Sequence, residues 1–256
     1  MALVTHLYFI LSLPLSLSSA IAANILLSGN ILPTNSHLST RNTMFGISND
    51  CNLVLIYNQN QRFQSNTMHR GTNCSLTLND NGQLLIQSSD GSTIWSSSPP
   101  GKIGHYVALL HPDGHVAVYG PSIWSTSTAR LIKGRSTSDG AELSYSPSAR
   151  NLMFPSQVLY EDSKLANGEH VLAIKDDCNL ELVKATAGVI WESGTKGRGI
   201  NCFLRLDHRG QIAVLDDGFK VQWSSKAAEA DGLYCLIVQN DGQAVVYGPV
   251  TWSTAS

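Results

Sequence analysis

The chain contains many short runs that are rich in β-forming residues. In several of them apolar and polar positions alternate. The clearest runs are Asn52–Tyr57, Gln83–Gln87, His115–Tyr119, Gln211–Leu215 and Ala244–Tyr247. Turn sequences such as Asp80-Asn81-Gly82 and Asn240-Asp241-Gly242 separate them, as is typical of hairpins. No stretch repeats its apolar residues convincingly at helical spacing. The pattern therefore predicts an all-β protein built of short strands.

The chain contains two copies of one pattern. Asp50-Cys51-Asn52-Leu53 recurs 127 residues later as Asp177-Cys178-Asn179-Leu180, and Tyr119-Gly120-Pro121 recurs as Tyr247-Gly248-Pro249. Such a duplication predicts two domains, over residues 24–130 and 151–256, each long enough to bury a modest core alone. Residues 131–150 between them are Ser-rich and predict an exposed linker, whose cleavage would give two half-size chains.

Within each copy a large aromatic residue followed closely by Ser recurs roughly every 30 residues. The six positions are Phe63, Trp95 and Trp124 in the first copy and Trp191, Trp223 and Trp252 in the second. A small sheet cannot bury its apolar face alone. The spacing therefore predicts three small antiparallel sheets around one axis in each copy, with the aromatic residues pointing inward.

The five cysteines divide into two equivalent pairs and one residue left over. Cys51 with Cys74 and Cys178 with Cys202 close loops of similar length at equivalent places, and we predict two intradomain disulfides there, each worth roughly 3 kcal/mol. Zinc binding is the alternative, but no Cys-x-x-Cys or Cys/His spacing supports it. Cys235 is expected to be either a buried thiol or the site of an interchain disulfide.

The first 23 residues have the character of a secretory signal peptide. An apolar stretch ends in small residues, with Ala20-Ile21-Ala22 as the cleavage pattern. A membrane anchor is disfavoured, because the apolar run is short and broken by Pro14, and no later stretch reaches membrane-spanning length. We therefore expect the chain in the secretory pathway, extracellular or vacuolar. There, Asn73-Cys74-Ser75 is a candidate N-glycosylation site at Asn73.

Charge is scarce and excludes several classes of function. Only 14% of the residues are charged and the formal net charge is −2. A nucleic-acid-binding protein or one that binds an anionic membrane surface needs a basic patch, which this composition does not supply. The low charge of the chain favours a neutral ligand.

Together these features resemble the monocot mannose-binding lectins, also called bulb-type or snowdrop-type lectins, in their two-domain form. The resemblance rests on the repeated Asp-Cys-Asn-Leu, the second cysteine, the aromatic spacing and the terminal Tyr-Gly-Pro…Trp-Ser. It implies two tandem β-prism (type II) domains, each of three four-stranded antiparallel sheets with pseudo-threefold symmetry. It also implies homo- or hetero-oligomers formed by exchange of C-terminal strands, here around Trp252, and sugar binding without a metal or cofactor.

The family's sugar sites follow the pattern Gln-x-Asp-x-Asn-x-Val-x-Tyr, one per sheet, and the hairpin ending at Tyr247 keeps this pattern best. The resemblance implies that Asp and Asn bind the 2-hydroxyl of mannose, Gln the 3-hydroxyl and Tyr the 4-hydroxyl, while Val contacts the C–H face. The predicted carbohydrate-binding residues are Gln239, Asp241, Gln243, Val245 and Tyr247. The weaker candidates are Asp113 and Tyr119, then Asp50, Asn52 and Val54, then Asp177 and Asn179. The two middle positions, at residues 79–87 and 207–215, have lost the pattern.

These residues predict a secreted lectin for mannose-containing glycans, with several weak sites that act together. The alternative is a divergent lectin fold that recognises complex glycans or a protein surface, in a storage, defence or taste-modifying role. A hydrolase is disfavoured, since no Gly-x-Ser-x-Gly is present and the Asp residues recur in turns. His111, Asp113 and His115 would share one strand face as a two-His-one-carboxylate set. Exposed strand histidines are usually only solvated, so the sequence assigns no metal.

Overall fold

The computed structural model describes residues 24–127 and 151–255, and within these two segments every regular element is a β-strand. The predicted signal peptide and linker lie outside the described residues. In the described part no helix has the length and apolarity needed to cross a membrane.

Twelve strands precede the linker and twelve follow it. Those of the first copy are β1 Ile25–Leu27, β2 Ile31–Leu32, β3 His37–Ser39, β4 Thr43–Ile47, β5 Leu53–Tyr57, β6 Asn60–Gln64, β7 Ser75–Leu78, β8 Leu84–Gln87, β9 Thr93–Ser96, β10 Val107–Leu110, β11 Val116–Tyr119 and β12 Ser122–Ser125. Those of the second copy are β13 Leu152–Met153, β14 Val158–Tyr160, β15 Lys164–Asn167, β16 His170–Ile174, β17 Leu180–Lys184, β18 Gly188–Glu192, β19 Phe203–Leu206, β20 Ile212–Leu215, β21 Val221–Ser224, β22 Cys235–Val238, β23 Ala244–Tyr247 and β24 Val250–Ser253.

The strands form six four-stranded antiparallel sheets, which group into two three-sided prisms. The N-terminal prism consists of sheets β3-β4-β5-β6, β2-β7-β8-β9 and β1-β10-β11-β24. The C-terminal prism consists of sheets β15-β16-β17-β18, β14-β19-β20-β21 and β13-β22-β23-β12. The predicted all-β fold with two β-prisms is confirmed.

The two prisms exchange their last strands within the chain. β12 leaves the first copy and pairs with β23 of the second, while β24 pairs with β11 of the first. Two threonines cap the exchange reciprocally: the Thr254 hydroxyl accepts from the amide of Val116 at 2.9 Å, and the Thr126 hydroxyl accepts from the amide of Ala244 at 3.1 Å. The resemblance implies an exchange of strands around Trp252 between chains, whereas here the exchange joins the two copies of one chain. Each copy has the length for a core of its own, but each prism takes one strand from the other copy.

The exchanged strands carry the aromatic residues that complete the two cores. In the N-terminal prism Trp252 meets Phe63 and Trp95 edge to face, with ring centroids 6.0 Å and 6.2 Å away. In the C-terminal prism Trp124 of the first copy meets Trp191 at 5.6 Å and Trp223 at 6.0 Å. The six aromatic residues thus lie one per sheet as predicted, but the third member of each cluster comes from the other copy. Such edge-to-face pairs contribute about 0.5–1.5 kcal/mol each beyond the area they bury.

Both predicted disulfides form inside single prisms. Cys51 bonds to Cys74 and Cys178 to Cys202, with Cα atoms 5.3 Å and 5.1 Å apart. Cys235 is a free, fully buried thiol, and burial raises its pKa. The thiol lies inside the protein, which matches the buried-thiol interpretation and leaves it out of reach of another chain.

The outer faces of the two sheets that share strands pack against each other, and we call this apolar layer the seam. The seam comprises Val107, Leu109, Ala117, Tyr119, Leu152, Cys235, Ile237, Val245 and Tyr247, with Ile25, Leu27, Phe154 and Val250 at its margins. At one margin Phe154 of the second copy stacks on the ring of His111, with centroids 5.2 Å apart and planes within 19°. The pKa of His111 is lowered from 6.5 to about 4, mainly by burial and to a smaller extent by the nearby His115, while Asp113 opposes the shift.

We predict that Trp252→Ala destabilises the N-terminal prism, although Trp252 belongs to the second copy. Truncating a core aromatic residue costs about 3–5 kcal/mol. Hydrogen–deuterium exchange of the variant should show lost protection in β5, β8 and β11, which form the prism around the missing ring. Trp223→Ala is the matched control and should expose β17 and β20 instead. Lost protection of β17 and β20 in Trp252→Ala would contradict the observed exchange.

A second prediction concerns pH. Because the pKa of His111 is depressed in the folded state, the unfolded chain binds a proton more readily between pH 6.5 and 4, so stability falls as the pH falls through this window. The loss attributable to His111 reaches about 3 kcal/mol, at roughly 1.4 kcal/mol per pKa unit. Chemical denaturation at pH 7, 5.5 and 4 should show a shallower decline for His111→Gln. An identical decline in both proteins would show that His111 is not the group responsible.

Candidate functional site

The candidate with the fullest sugar-binding pattern lies on the hairpin between β22 and β23. Gln239 follows β22, Gln243 precedes β23, and the backbone amide of Gln239 donates to the carbonyl of Gln243 at 2.8 Å. Asp241 therefore lies at the tip of a turn, and only Val245 and Tyr247 lie within the strand. The sheet's next strand is β12, so the first copy supplies the neighbour of Val245 and Tyr247.

The inner part of this hairpin is buried and internally bonded. Gln239, Val245 and Tyr247 are 3%, 4% and 4% exposed. The side-chain amide of Gln239 donates to the hydroxyl oxygen of Tyr247 at 2.5 Å. Burial raises the pKa of Tyr247 to about 12, so the phenol keeps its proton at physiological pH. The structure thus brings together the two groups that the resemblance assigns to the 3- and 4-hydroxyls of a hexose.

The outer part of the hairpin is open to solvent. One oxygen of the Asp241 carboxylate accepts from the backbone amide of Gln243, and the other accepts from its side-chain amide, both at 3.0 Å. A Cβ at Gly242, whose φ is +83°, would lie 2.6 Å from Nε2 of His170. Glycine is therefore required there for two reasons, and the close contact with His170 fixes the turn that carries Asp241. A carboxylate and an amide side by side offer acceptors and donors to neighbouring hydroxyls.

The equivalent hairpin of the first copy has the same geometry with imidazoles in place of amides. Nε2 of His111 lies 3.1 Å from the hydroxyl of Tyr119, and Nδ1 of His115 lies 2.7 Å from a carboxylate oxygen of Asp113. Burial raises the pKa of Tyr119. Phe154 lies next to both His111 and Tyr119, with centroids 5.2 Å and 6.3 Å away. An apolar ring from the other copy therefore packs where the pattern would present polar groups to a sugar.

The candidates at Asp50 and Asn52 are occupied by contacts within the protein. The side-chain carbonyl of Asn52 accepts from Ser65 at 3.1 Å and from the amide of Thr67 at 3.2 Å, while its amide donates to Gln64 at 3.3 Å. Asn52 is only 4% exposed. These bonds anchor the segment after β6 to the hairpin before β5, which is a structural role.

The same network recurs at Asp177 and Asn179. The amide of Asn179 donates to Glu181 at 3.1 Å and to Glu192 at 2.8 Å, and its carbonyl accepts from the backbone amide of Thr195 at 3.1 Å. Asp177 is held by Lys196 at 3.1 Å. The structure therefore places these residues together, as the sequence predicts, but engages their polar atoms internally. Val54 is half-buried on the neighbouring β5 of the first network.

The middle sheet of the second copy carries an aromatic cluster with two exposed members, Tyr160 and Phe219, which the sequence pattern did not predict. Tyr160, Phe203 and Phe219 form a row with centroid separations of 5.9 Å and 5.8 Å. Phe219 is 72% exposed and has φ +60°, whereas the first copy has Gly91 at the equivalent turn position. A bulky residue with positive φ is unusual. The available sequence signal was the exchange of glycine for phenylalanine between the copies, since Gly91 and Phe219 are 128 residues apart, as are Trp95 and Trp223.

Asn73, the glycosylation candidate, is exposed in a turn before β7, next to the disulfide-bonded Cys74. Its modification stays a prediction.

Comparisons with known proteins bear on the whole chain. No protein-family model matches it. The chain is 45% identical to "Mannose-specific lectin 2" of Crocus vernus over 98% of its length and 95% of that protein. It is 44% identical to "Mannose-specific lectin 2" of Colocasia esculenta, over 93% of its own length and 87% of that protein.

A solved structure extends this likeness to both prisms. The native fetuin-binding agglutinin of Scilla campanulata, a two-domain lectin, superposes with a TM-score of 0.78 at 28% identity, covering 90% of this chain and 99% of the agglutinin. The relatives are lectins, and the hydrolase alternative is set aside. With this identity over nearly its full length and the same two-prism fold, the chain belongs to the family of monocot mannose-specific, bulb-type lectins.

Proposed function

We propose that the protein is a secreted lectin that binds mannose-containing glycans without a metal, with the Gln239 hairpin as its principal site. The observation that carries the proposal is that one hairpin unites Gln239, Asp241, Gln243 and Tyr247, with a carboxylate and an amide facing solvent. The family relationship supports the sugar class, because the Crocus vernus and Colocasia esculenta relatives are named mannose-specific.

A site of this kind is shallow and should bind a single sugar weakly. Several such sites that act together, in one chain or in an oligomer, would raise the overall affinity through effective concentration. The predicted signal peptide supports secretion, which also provides the oxidising compartment in which the two disulfides form.

The divergent alternative is recognition of a complex glycan or a protein surface. The row of Tyr160, Phe203 and Phe219 favours it, because Tyr160 and Phe219 at its two ends are exposed and aromatic side chains are enriched in interaction surfaces. A glycan array probed with the mature protein distinguishes the two functions. Mannose-containing glycans should give the signal for the principal proposal.

We predict that Asp241→Ala abolishes most of the mannose binding. A hydrogen bond to a charged group contributes about 1.5–3 kcal/mol, which corresponds to a loss of roughly 10- to 150-fold. Titration calorimetry with a mannose oligosaccharide measures it. Asp177→Ala is the matched control. In both hairpins the aspartate carboxylate accepts a hydrogen bond from the backbone amide two residues further on, at 3.0 Å, so both substitutions remove the same turn-stabilising bond. In the Asp177 hairpin, however, the neighbouring Asn179 is engaged within the protein.

Two outcomes would contradict the proposal. One is a folded, mature protein that binds no mannose-containing glycan on the array. The other is an equal loss of binding in the Asp177→Ala control, which would mean that turn stability, and not the Asp241 carboxylate, decides affinity.

We also predict that Gln243→Asn strengthens mannose binding. The extra methylene of Gln243 lets its amide reach back to Asp241 at 3.0 Å, which occupies one carboxylate oxygen. Asparagine, the family residue, is shorter and would leave that oxygen to the ligand. One hydrogen bond gained is worth on the order of a tenfold increase in affinity, measured by the same titration. An unchanged or weaker affinity would count against this role for Gln243.

A further inference from the structure

The hairpin of the first copy has lost the amide chemistry of a sugar site and acquired a different one. Where the second copy has Gln239, Asp241 and Gln243, the first has His111, Asp113 and His115. Both glutamines are replaced by histidine while the carboxylate between them is the same. Two imidazoles with one carboxylate are a common ligand set for late first-row divalent metals.

The backbone brings the three groups together. One potential ligand atom from each of His111, Asp113 and His115 lies within 4.8 Å of the other two. The shortest separation, 2.7 Å, joins Nδ1 of His115 to a carboxylate oxygen of Asp113. A tetrahedral Zn²⁺ with bonds of about 2.1 Å holds its ligand atoms about 3.4 Å apart, so no separation has to close by more than roughly 1.4 Å.

The surroundings hold His111 in place but leave His115 and Asp113 more freedom to move. The ring of His111 is held by Tyr119 at Nε2 and by the stacked ring of Phe154, so Nδ1 is the nitrogen that Tyr119 does not engage. The ring of His115 stacks on His111 with centroids 3.9 Å apart and planes 17° apart, an arrangement in which the two lone pairs do not converge. The His115 side chain is 27% exposed and Asp113 is 70% exposed. Binding of an ion therefore requires the half-buried His115 ring to rotate until its nitrogen points toward the ion, while His111 stays fixed.

We propose that His111, Asp113 and His115 form a binding site for a late first-row divalent cation of the Zn²⁺ type, separate from the sugar site. The three side chains supply three ligands, and water completes the coordination from the solvent side, where Asp113 is exposed. A metal-binding histidine commonly donates its other ring N–H to a neighbouring acceptor, which orients the ring, and the Tyr119 hydroxyl oxygen is placed to accept from Nε2 of His111. Imidazole nitrogen favours Zn²⁺, Ni²⁺ and Cu²⁺ over Mg²⁺ and Ca²⁺.

The test is calorimetric titration of the mature, EDTA-treated protein with ZnCl₂ in the absence of sugar, with MgCl₂ as a second titrant. We expect one Zn²⁺ per chain, no binding of Mg²⁺, and a higher unfolding temperature in the presence of Zn²⁺. His115→Gln, which installs the residue that the second copy has at this place, should weaken Zn²⁺ binding at least tenfold and abolish the thermal shift. His208→Gln, at an exposed histidine elsewhere, is the matched control and should bind Zn²⁺ as the unaltered protein does.

His115→Gln is chosen because its position is half-buried and the second copy folds with glutamine there. Asp113→Asn is a second variant that keeps the size of the side chain and should also weaken binding. The proposal is overturned if the unaltered protein binds no Zn²⁺, or if His115→Gln and Asp113→Asn bind it as tightly as the unaltered protein. Because the titration contains no sugar, neither result bears on the proposed glycan binding.

Discussion

The structure depends on one constraint: neither prism can close its core without a strand from the other copy. Each four-stranded sheet has an apolar inner face too small to bury alone, and three such faces meet around a cluster of three aromatic rings. The third ring is Trp252 in the N-terminal prism and Trp124 in the C-terminal one. Since each of these rings reaches its cluster on an exchanged strand, each core depends on one residue supplied by the other copy.

The same exchange explains which polar side chains of the candidate hairpin remain exposed to a ligand. Trading β12 and β24 joins the two sheets that carry them, and the outer faces of those sheets pack into the seam. Residues such as Val245 and Tyr247, which point outward from their strand, are thereby nearly covered. Only the turn at the end of the strand remains exposed, so Asp241 and Gln243 are the groups that a ligand meets first.

Comparison of the two copies predicts the parts of this architecture that repeat. The family resemblance implies an exchange around Trp252 between chains, but not the exchange between copies of one chain. Strand runs, turns, two disulfides and one aromatic residue per sheet follow from local pattern and from comparing the copies. The local pattern does not predict which prism receives Trp124 or Trp252. The local sequence is the same whether a strand folds back on its own copy or pairs with the other copy. The contact of Phe154 with His111 is equally invisible, since it joins residues that only the exchange brings together.

The carboxylates kept in the candidate hairpins have a physical explanation that precedes any sugar. In the hairpins of Asp50, Asp177 and Asp241, a carboxylate oxygen accepts from the backbone amide two residues on, at 3.1, 3.0 and 3.0 Å. Such a side-chain bond stabilises the turn itself. A retained aspartate therefore carries little information about ligand binding, whereas the residues around it carry much. Gln239 and Gln243 with Tyr247 suit one hairpin to binding hydroxyl groups. On the same backbone, His111 and His115 suit the counterpart hairpin to binding a metal ion.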